Sequence, residues 1–134
     1  MIIERMINTD FHPVGMKETG ELFMKYHVPF TPLEKIQLLQ RWILVQSCVY
    51  YVHDDNIVSD FTYDDNAKQL TALINEYPEE AKRSKYYKYF YDYTGETGYH
   101  LLGRVEKDDP KLYRYINIDA MLALDIKSGR KKVN

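Results

Sequence analysis

The stretch TPLEKIQLLQRWILVQSCVYYV, residues 31–52, predicts the central helix of this protein. Thr31 can cap a helix, Pro32 suits the first helical position, and Glu34 lies three residues after Thr31, as in a capping box. Apolar residues then recur at helical spacing, at Ile36, Leu39, Trp42, Ile43, Val49 and Val52. We therefore expect a helix from about 32 to 52.

A second helix is predicted after a short polar connector, HDDNIV (53–58), whose Asp and Asn residues favour turns. This helix starts at Ser59 or Asp60 and ends at Pro78, or continues there as a further short turn. Because the connector is short, the two helices should form an antiparallel hairpin. We expect the hairpin to span about 32–77.

The period of the sequence changes after this hairpin. KYYKYFYDY (85–93) is rich in β-favouring aromatic residues, TGETG (94–98) contains turn glycines, and YHLLGRV (99–105) again has the composition of a strand. These features predict a β-hairpin over about 85–105. The alternation of a strand would place Tyr86, Lys88, Phe90 and Asp92 on one face and Tyr87, Tyr89, Tyr91 and Tyr93 on the other.

A last helix is predicted to begin at Asn117 or Asp119, to run through MLALDI and to end at Gly129. The first 30 residues carry only a weak helical pattern. A length of 134 residues suits a single domain over 1–134. The predicted fold class is therefore α+β and mostly helical, with a helical hairpin, a β-hairpin and a C-terminal helix.

Composition excludes several classes of function. The net charge of −2 gives no basic excess, so nucleic-acid binding is not expected. No apolar run reaches the ~20 residues of a membrane-spanning helix. Glu4 and Arg5 interrupt the apolar core that a signal peptide needs, so we expect a cytoplasmic protein. Cys48 is the only cysteine and lies in an apolar run, where a buried structural thiol is expected.

The four histidines are scattered and lack the spacing of metal ligands. A metal site formed by His53, Asp54 and Asp55 is one interpretation of the connector, and a solvated loop is the favoured one.

Aromatic and acidic residues meet where the two predicted helices join. Asp60, Tyr63 and Asp64 share one face of the second helix, and Tyr50 and Tyr51 end the first. Phenol rings stack on a flat cationic ring such as oxidised nicotinamide, and carboxylates accept from its carboxamide and offset its charge. The alternative is structural, because aspartates at a helix start also complement the helix dipole.

Residues 36–80 resemble the small N-terminal domain of bacterial NAD-dependent DNA ligases, which holds the nicotinamide mononucleotide half of NAD. Those domains read Y-x-Y-H-x-x-D-x-P-x-x-x-D-x-x-Y-D, then a helix ending in E-H-P-E. This chain reads VYYVHDDNIVSDFTYDDNAKQLTALINEYPE over the corresponding positions. Asp60, Tyr63 and Asp64 occupy the D-x-x-Y-D positions.

The chain departs from that motif at two positions. Tyr50 and Tyr51 stand at the tyrosine–histidine pair, so Tyr51 replaces the histidine, and Asn56 replaces the loop proline. A tyrosine can still stack and donate a hydrogen bond, but it does not titrate as an imidazole does.

The resemblance implies a ligase-related accessory protein, similar to short phage and mobile-element proteins, that binds nicotinamide mononucleotide or NAD. We expect no ligation, because the K-x-D-G lysine that accepts AMP is absent and the KSG at 127–129 lacks the aspartate. One alternative is a protein-interaction module that acts on a host factor and has lost the nucleotide site. A further alternative is an enzyme that cleaves the pyridinium nucleotide, such as a glycohydrolase.

Overall fold

A computed structural model describes residues 31–95 and 98–128, without the side chain of Asp60. The weak pattern in the first 30 residues and the predicted stop at Gly129 lie outside these ranges. Six helices make up the described ranges: α1 (Pro32–Tyr51), α2 (Asp60–Glu76), α3 (Pro78–Arg83), α4 (Tyr87–Phe90), α5 (Tyr99–Asp108) and α6 (Pro110–Ser128). None of the described helices is long and apolar enough to cross a membrane.

Helix α1 is the centre of the packing, and α2, α3, α5 and α6 all contact it. The predicted capping box is confirmed: the Thr31 hydroxyl accepts from the Glu34 amide at 3.2 Å, and the Glu34 carboxylate accepts from the Thr31 amide at 2.9 Å. Every residue from 42 to 49 is buried, because neighbouring helices cover α1 on all sides there.

The predicted second helix is also confirmed. Ser59 caps α2 by accepting from the amide of Thr62 at 3.1 Å, and α2 packs on α1 after the connector. Pro78 ends this helix and opens the short helix α3.

The predicted β-hairpin over 85–105 is wrong, and its two presumed strands are the helices α4 and α5. In and around α4 the buried side chains are those of Tyr86, Tyr89, Phe90 and Tyr93. These positions (i, i+3, i+4 and i+7) lie on one face of a helix. Two of them, Tyr86 and Phe90, belong to one face of the predicted strand, and the other two, Tyr89 and Tyr93, belong to its opposite face. Helix α5 likewise buries Leu101, Leu102 and Val105.

The C-terminal helix exists but begins earlier than predicted, at Pro110 rather than at Asn117 or Asp119. The Asp109 carboxylate accepts from the amide of Leu112 at 3.1 Å, and Pro110 occupies the first position. The described residues therefore form an all-helical fold, and the predicted α+β class is wrong because no strand is present among them.

Candidate functional site

A cavity of about 360 Å³ lies where α1 ends and α2 begins. Its lining comes from the last turns of α1, the connector, the start of α2 and the segment after α4: Gln46, Ser47, Tyr50, Tyr51, Asn56, Ile57, Val58, Tyr63, Asp64 and Gly95. Its volume is in the range of about 300–1,000 Å³ that is typical of small-molecule sites.

Four of the five residues proposed from the sequence line this cavity together: Tyr50, Tyr51, Tyr63 and Asp64. Asp60 is the first residue of α2, and its side chain lies outside the described part of the chain. The chain reversal between α1 and α2 brings the four side chains together, since they come from the facing ends of two packed helices.

Tyr50 and Tyr51 present accessible aromatic surface to the cavity. Their rings are 4.8 Å apart at an interplanar angle of 80°, and the ring of Tyr51 meets that of Tyr99 edge to face at 5.2 Å. The two residues are 53% and 39% exposed, although both are large and largely apolar. A ligand can therefore cover phenol surface that otherwise contacts water.

Tyr63 forms part of the cavity wall. Its hydroxyl lies 3.2 Å from the Oγ of Ser47, and its ring packs against the core. Burial raises the pKa of Tyr63. The neighbouring Tyr93 phenol is also buried, and its pKa is raised for the same reason.

Among the described residues that line the cavity, Asp64 is the only charged one. Its side chain is exposed at the edge, in the second turn of α2. Aromatic rings and a single carboxylate suit a flat cation better than an anion.

Residues 30–84 match the family model of the DNA ligase-like N-terminal NAD+-binding domain. The resemblance expected for 36–80 is thereby confirmed. No curated protein and no solved structure matches the chain significantly. We call residues 30–84 the ligase-like segment. It includes α1, α2, α3 and, of the lining residues that the structure describes, all except Gly95.

Within the ligase-like segment, sequence analysis missed Gln46 and Ser47. They lie one helical turn before Tyr50 and Tyr51. The i, i+4 spacing along α1 therefore indicated that they share the face of α1 that carries the two tyrosines. Gln46 is only 3% exposed, and neither atom of its amide has a hydrogen-bond partner among the described residues.

Helix α6, which lies beyond the ligase-like segment, holds the connector at two points. Lys127 donates to the Asp55 carboxylate at 3.0 Å and also to the backbone carbonyl of Asn56. The Nε2 of His53 lies 2.6 Å from the Oδ1 of Asn117. Of the three residues of the alternative metal site, His53 and Asp55 thus contact α6 instead.

Cys48, His53 and Asn117 resemble the residue set of a cysteine hydrolase, because Asn117 contacts both of the others. The thiol does not suit that role. Cys48 is fully buried, as predicted, and burial raises its pKa to about 11. At neutral pH the sulfur stays protonated, and a protonated thiol is a poor nucleophile.

Proposed function

We propose that this protein is a ligase-related accessory protein that binds nicotinamide mononucleotide, or the same half of NAD, in the cavity between α1 and α2. The observation that carries the proposal is the position of Tyr50, Tyr51, Tyr63 and Asp64 around one cavity. The family match adds support, since the ligase-like segment is similar to an NAD+-binding domain.

The chemistry of the cavity suits the oxidised ring. The exposed rings of Tyr50 and Tyr51 can stack on the pyridinium, and such cation–π contacts are worth ~0.5–2 kcal/mol each. Asp64 offsets the positive charge of the ring and accepts from the carboxamide NH₂. In this proposal Asp60 supplies a second carboxylate. Tyr63 closes the wall and contributes one phenol face.

Titration calorimetry with nicotinamide mononucleotide, NAD, NADH and AMP tests the proposal. We expect the mononucleotide and NAD to bind more tightly than NADH, because only the oxidised ring is cationic. AMP lacks the nicotinamide and should bind weakest. If neither oxidised compound binds at millimolar concentration, the nucleotide proposal is wrong and the interaction-module hypothesis replaces it. Release of nicotinamide from NAD would instead favour the glycohydrolase.

Two variants with matched controls locate the binding site. Asp64→Asn removes a charge from the cavity lining, and Tyr50→Leu removes an aromatic ring. Each should weaken the binding of nicotinamide mononucleotide by ~1–3 kcal/mol. Asp65→Asn and Tyr91→Leu are the controls, because these residues do not line the cavity and Tyr91 is similarly exposed. Equal losses in a variant and its control would show that the ligand binds elsewhere.

The proposal also predicts no covalent adenylation. The 134 residues contain no K-x-D-G lysine, and transfer of AMP requires a positioned amine nucleophile. After incubation with NAD the intact mass of the protein should be unchanged. A stable gain of one AMP, mapped to a lysine by peptide mass analysis, would contradict this prediction.

A further inference from the structure

Gln46 is a buried amide that borders the cavity. It lies in α1 one turn before Tyr50 and is 3% exposed. Neither its amide nitrogen nor its amide oxygen has a hydrogen-bond partner within the described ranges. Most buried polar side chains are hydrogen-bonded, so an amide with both ends unpaired requires a reason.

A ligand bound in the cavity would provide partners for both ends of the Gln46 amide. Gln46 lines the cavity, and its amide carries one donor group and one acceptor. Ionised Asp64 can only accept, and the Tyr63 hydroxyl is already paired with Ser47. A carboxamide also carries a donor and an acceptor side by side, so it is the natural complement of the Gln46 amide.

Contact between Gln46 and a ligand requires a rotation of the side chain, because both of its polar atoms are covered in the structure. That rotation breaks no hydrogen bond to any described residue. Asn56 also lines the cavity, but it is exposed, and water can satisfy its amide.

We propose that Gln46 is the specificity-determining residue for the carboxamide, and that it selects nicotinamide over nicotinate. This inference rests on the proposed nicotinamide site. The Oε1 of Gln46 accepts from the carboxamide NH₂, and its Nε2 donates to the carboxamide oxygen. A nicotinate ring has no NH₂, so it would place a carboxylate oxygen against Oε1 and leave that acceptor unpaired.

The test compares nicotinamide mononucleotide with nicotinate mononucleotide by calorimetry, for the wild-type protein and for Gln46→Met. Methionine keeps the length and volume of glutamine but has no amide. We expect the variant to bind nicotinamide mononucleotide about 5- to 100-fold more weakly, the range of one lost buried hydrogen bond or two. Binding of nicotinate mononucleotide should change less, because the variant removes both the Nε2 donor and the unfavourable Oε1–carboxylate contact, so most of the preference should disappear.

Asn66→Leu is the matched control. Asn66 is 0% exposed, and both atoms of its amide also lack a partner in the described part of the chain, but it does not line the cavity. Without ligand, both variants should melt at or above the wild-type temperature, because each removes an unsatisfied buried amide. Only Gln46→Met should alter the ligand preference.

The outcomes separate this inference from the function on which it rests. If the wild-type protein binds neither mononucleotide, the nicotinamide site and the role of Gln46 both fail. If it binds nicotinamide mononucleotide and Gln46→Met keeps the wild-type preference, only the role of Gln46 fails. A uniform loss for both mononucleotides, or a marked drop in the melting temperature of the free variant, also overturns the inference, since Gln46 would then be structural.

Discussion

Gly98 is the residue at which the start of α5 meets the cavity wall. A Cβ atom at this position would lie 2.1 Å from the Oγ of Ser47 and 2.7 Å from the hydroxyl oxygen of Tyr63. Both distances are far inside van der Waals contact. The absence of a side chain at Gly98 therefore allows α5 to approach the Ser47–Tyr63 pair closely.

Gly98→Ala should lower the free energy of unfolding by about 1–3 kcal/mol, because the added methyl must displace Ser47 or the start of α5. Gly103→Ala is the control in the same helix. A Cβ there meets nothing within 4 Å, and alanine should stabilise the helix interior by roughly 0.5–1 kcal/mol. Urea unfolding followed by the fluorescence of Trp42, the only tryptophan, measures both changes. Wild-type stability in Gly98→Ala would contradict the close packing.

Helix α6 positions the connector that lines the cavity, although it lies outside the ligase-like segment. Lys127 reaches Asp55 and the Asn56 carbonyl, and Asn117 reaches His53. The Lys127–Asp55 pair is nearly half exposed, so its contribution to global stability is small. Its effect should instead be local, on the position of the connector.

Lys127→Met should weaken the binding of nicotinamide mononucleotide severalfold. The melting temperature should stay close to that of the wild type, because exposed ion pairs contribute ~0–1 kcal/mol to stability. Calorimetry and thermal unfolding measure the two quantities. Lys111→Met serves as the control, because Lys111 is on the same helix and lies over the ring of Tyr115, away from the connector. If both variants bind equally well, α6 does not position the site.

In the segment 85–105, the local sequence pattern predicted two strands where the structure has helices α4 and α5. Aromatic residues favour strands on average, and a tyrosine-rich run followed by a glycine-bearing turn is typical of a hairpin. That preference depends on the surroundings. Here Tyr86, Tyr89, Phe90 and Tyr93 are buried at helical spacing, and Tyr89 donates to the Asp108 carboxylate at 2.7 Å. Packing therefore outweighs propensity, and the period of the buried residues was the better signal.

Folding shifts the pKa values of groups at both ends of the pH scale: it lowers those of three carboxyls and raises those of a thiol and a phenol. Hydrogen bonds lower the pKa values of Asp55, Asp92 and Asp108, chiefly those from the Asn56 amide, Arg104 and Lys88 respectively. Burial raises the pKa values of Cys48 to about 11 and of Tyr89 to about 12.

Stability should therefore be highest between about pH 5 and 9. Below the ordinary carboxyl pKa of 3.8, the unfolded chain binds more protons than the folded one, so stability falls with falling pH. Above the ordinary pKa values of 9.0 and 10.0, the unfolded thiol and phenols ionise first, so stability falls with rising pH. Urea midpoints across this range test the profile.

A control variant assigns the acid limb of this profile. Asp92→Asn removes one of the three carboxylates, and it should flatten the fall in stability below pH 4. A wild-type midpoint that stays constant from pH 6 to well below pH 3 would contradict the assignment, because the paired carboxylates would then contribute nothing.

The sequence by itself determined the α1–α2 hairpin, because caps, proline positions and apolar spacing are local signals within one helix. It also predicted that five side chains meet at the hairpin end, since a short connector forces the chain to reverse, and four of them line the cavity. Their role as a nicotinamide site stays a proposal. Only the tertiary structure decided which aromatic residues of 85–105 are buried, that Gly95 borders the cavity and that α6 holds the connector. These features depend on burial against residues distant in sequence, and local pattern does not contain that information.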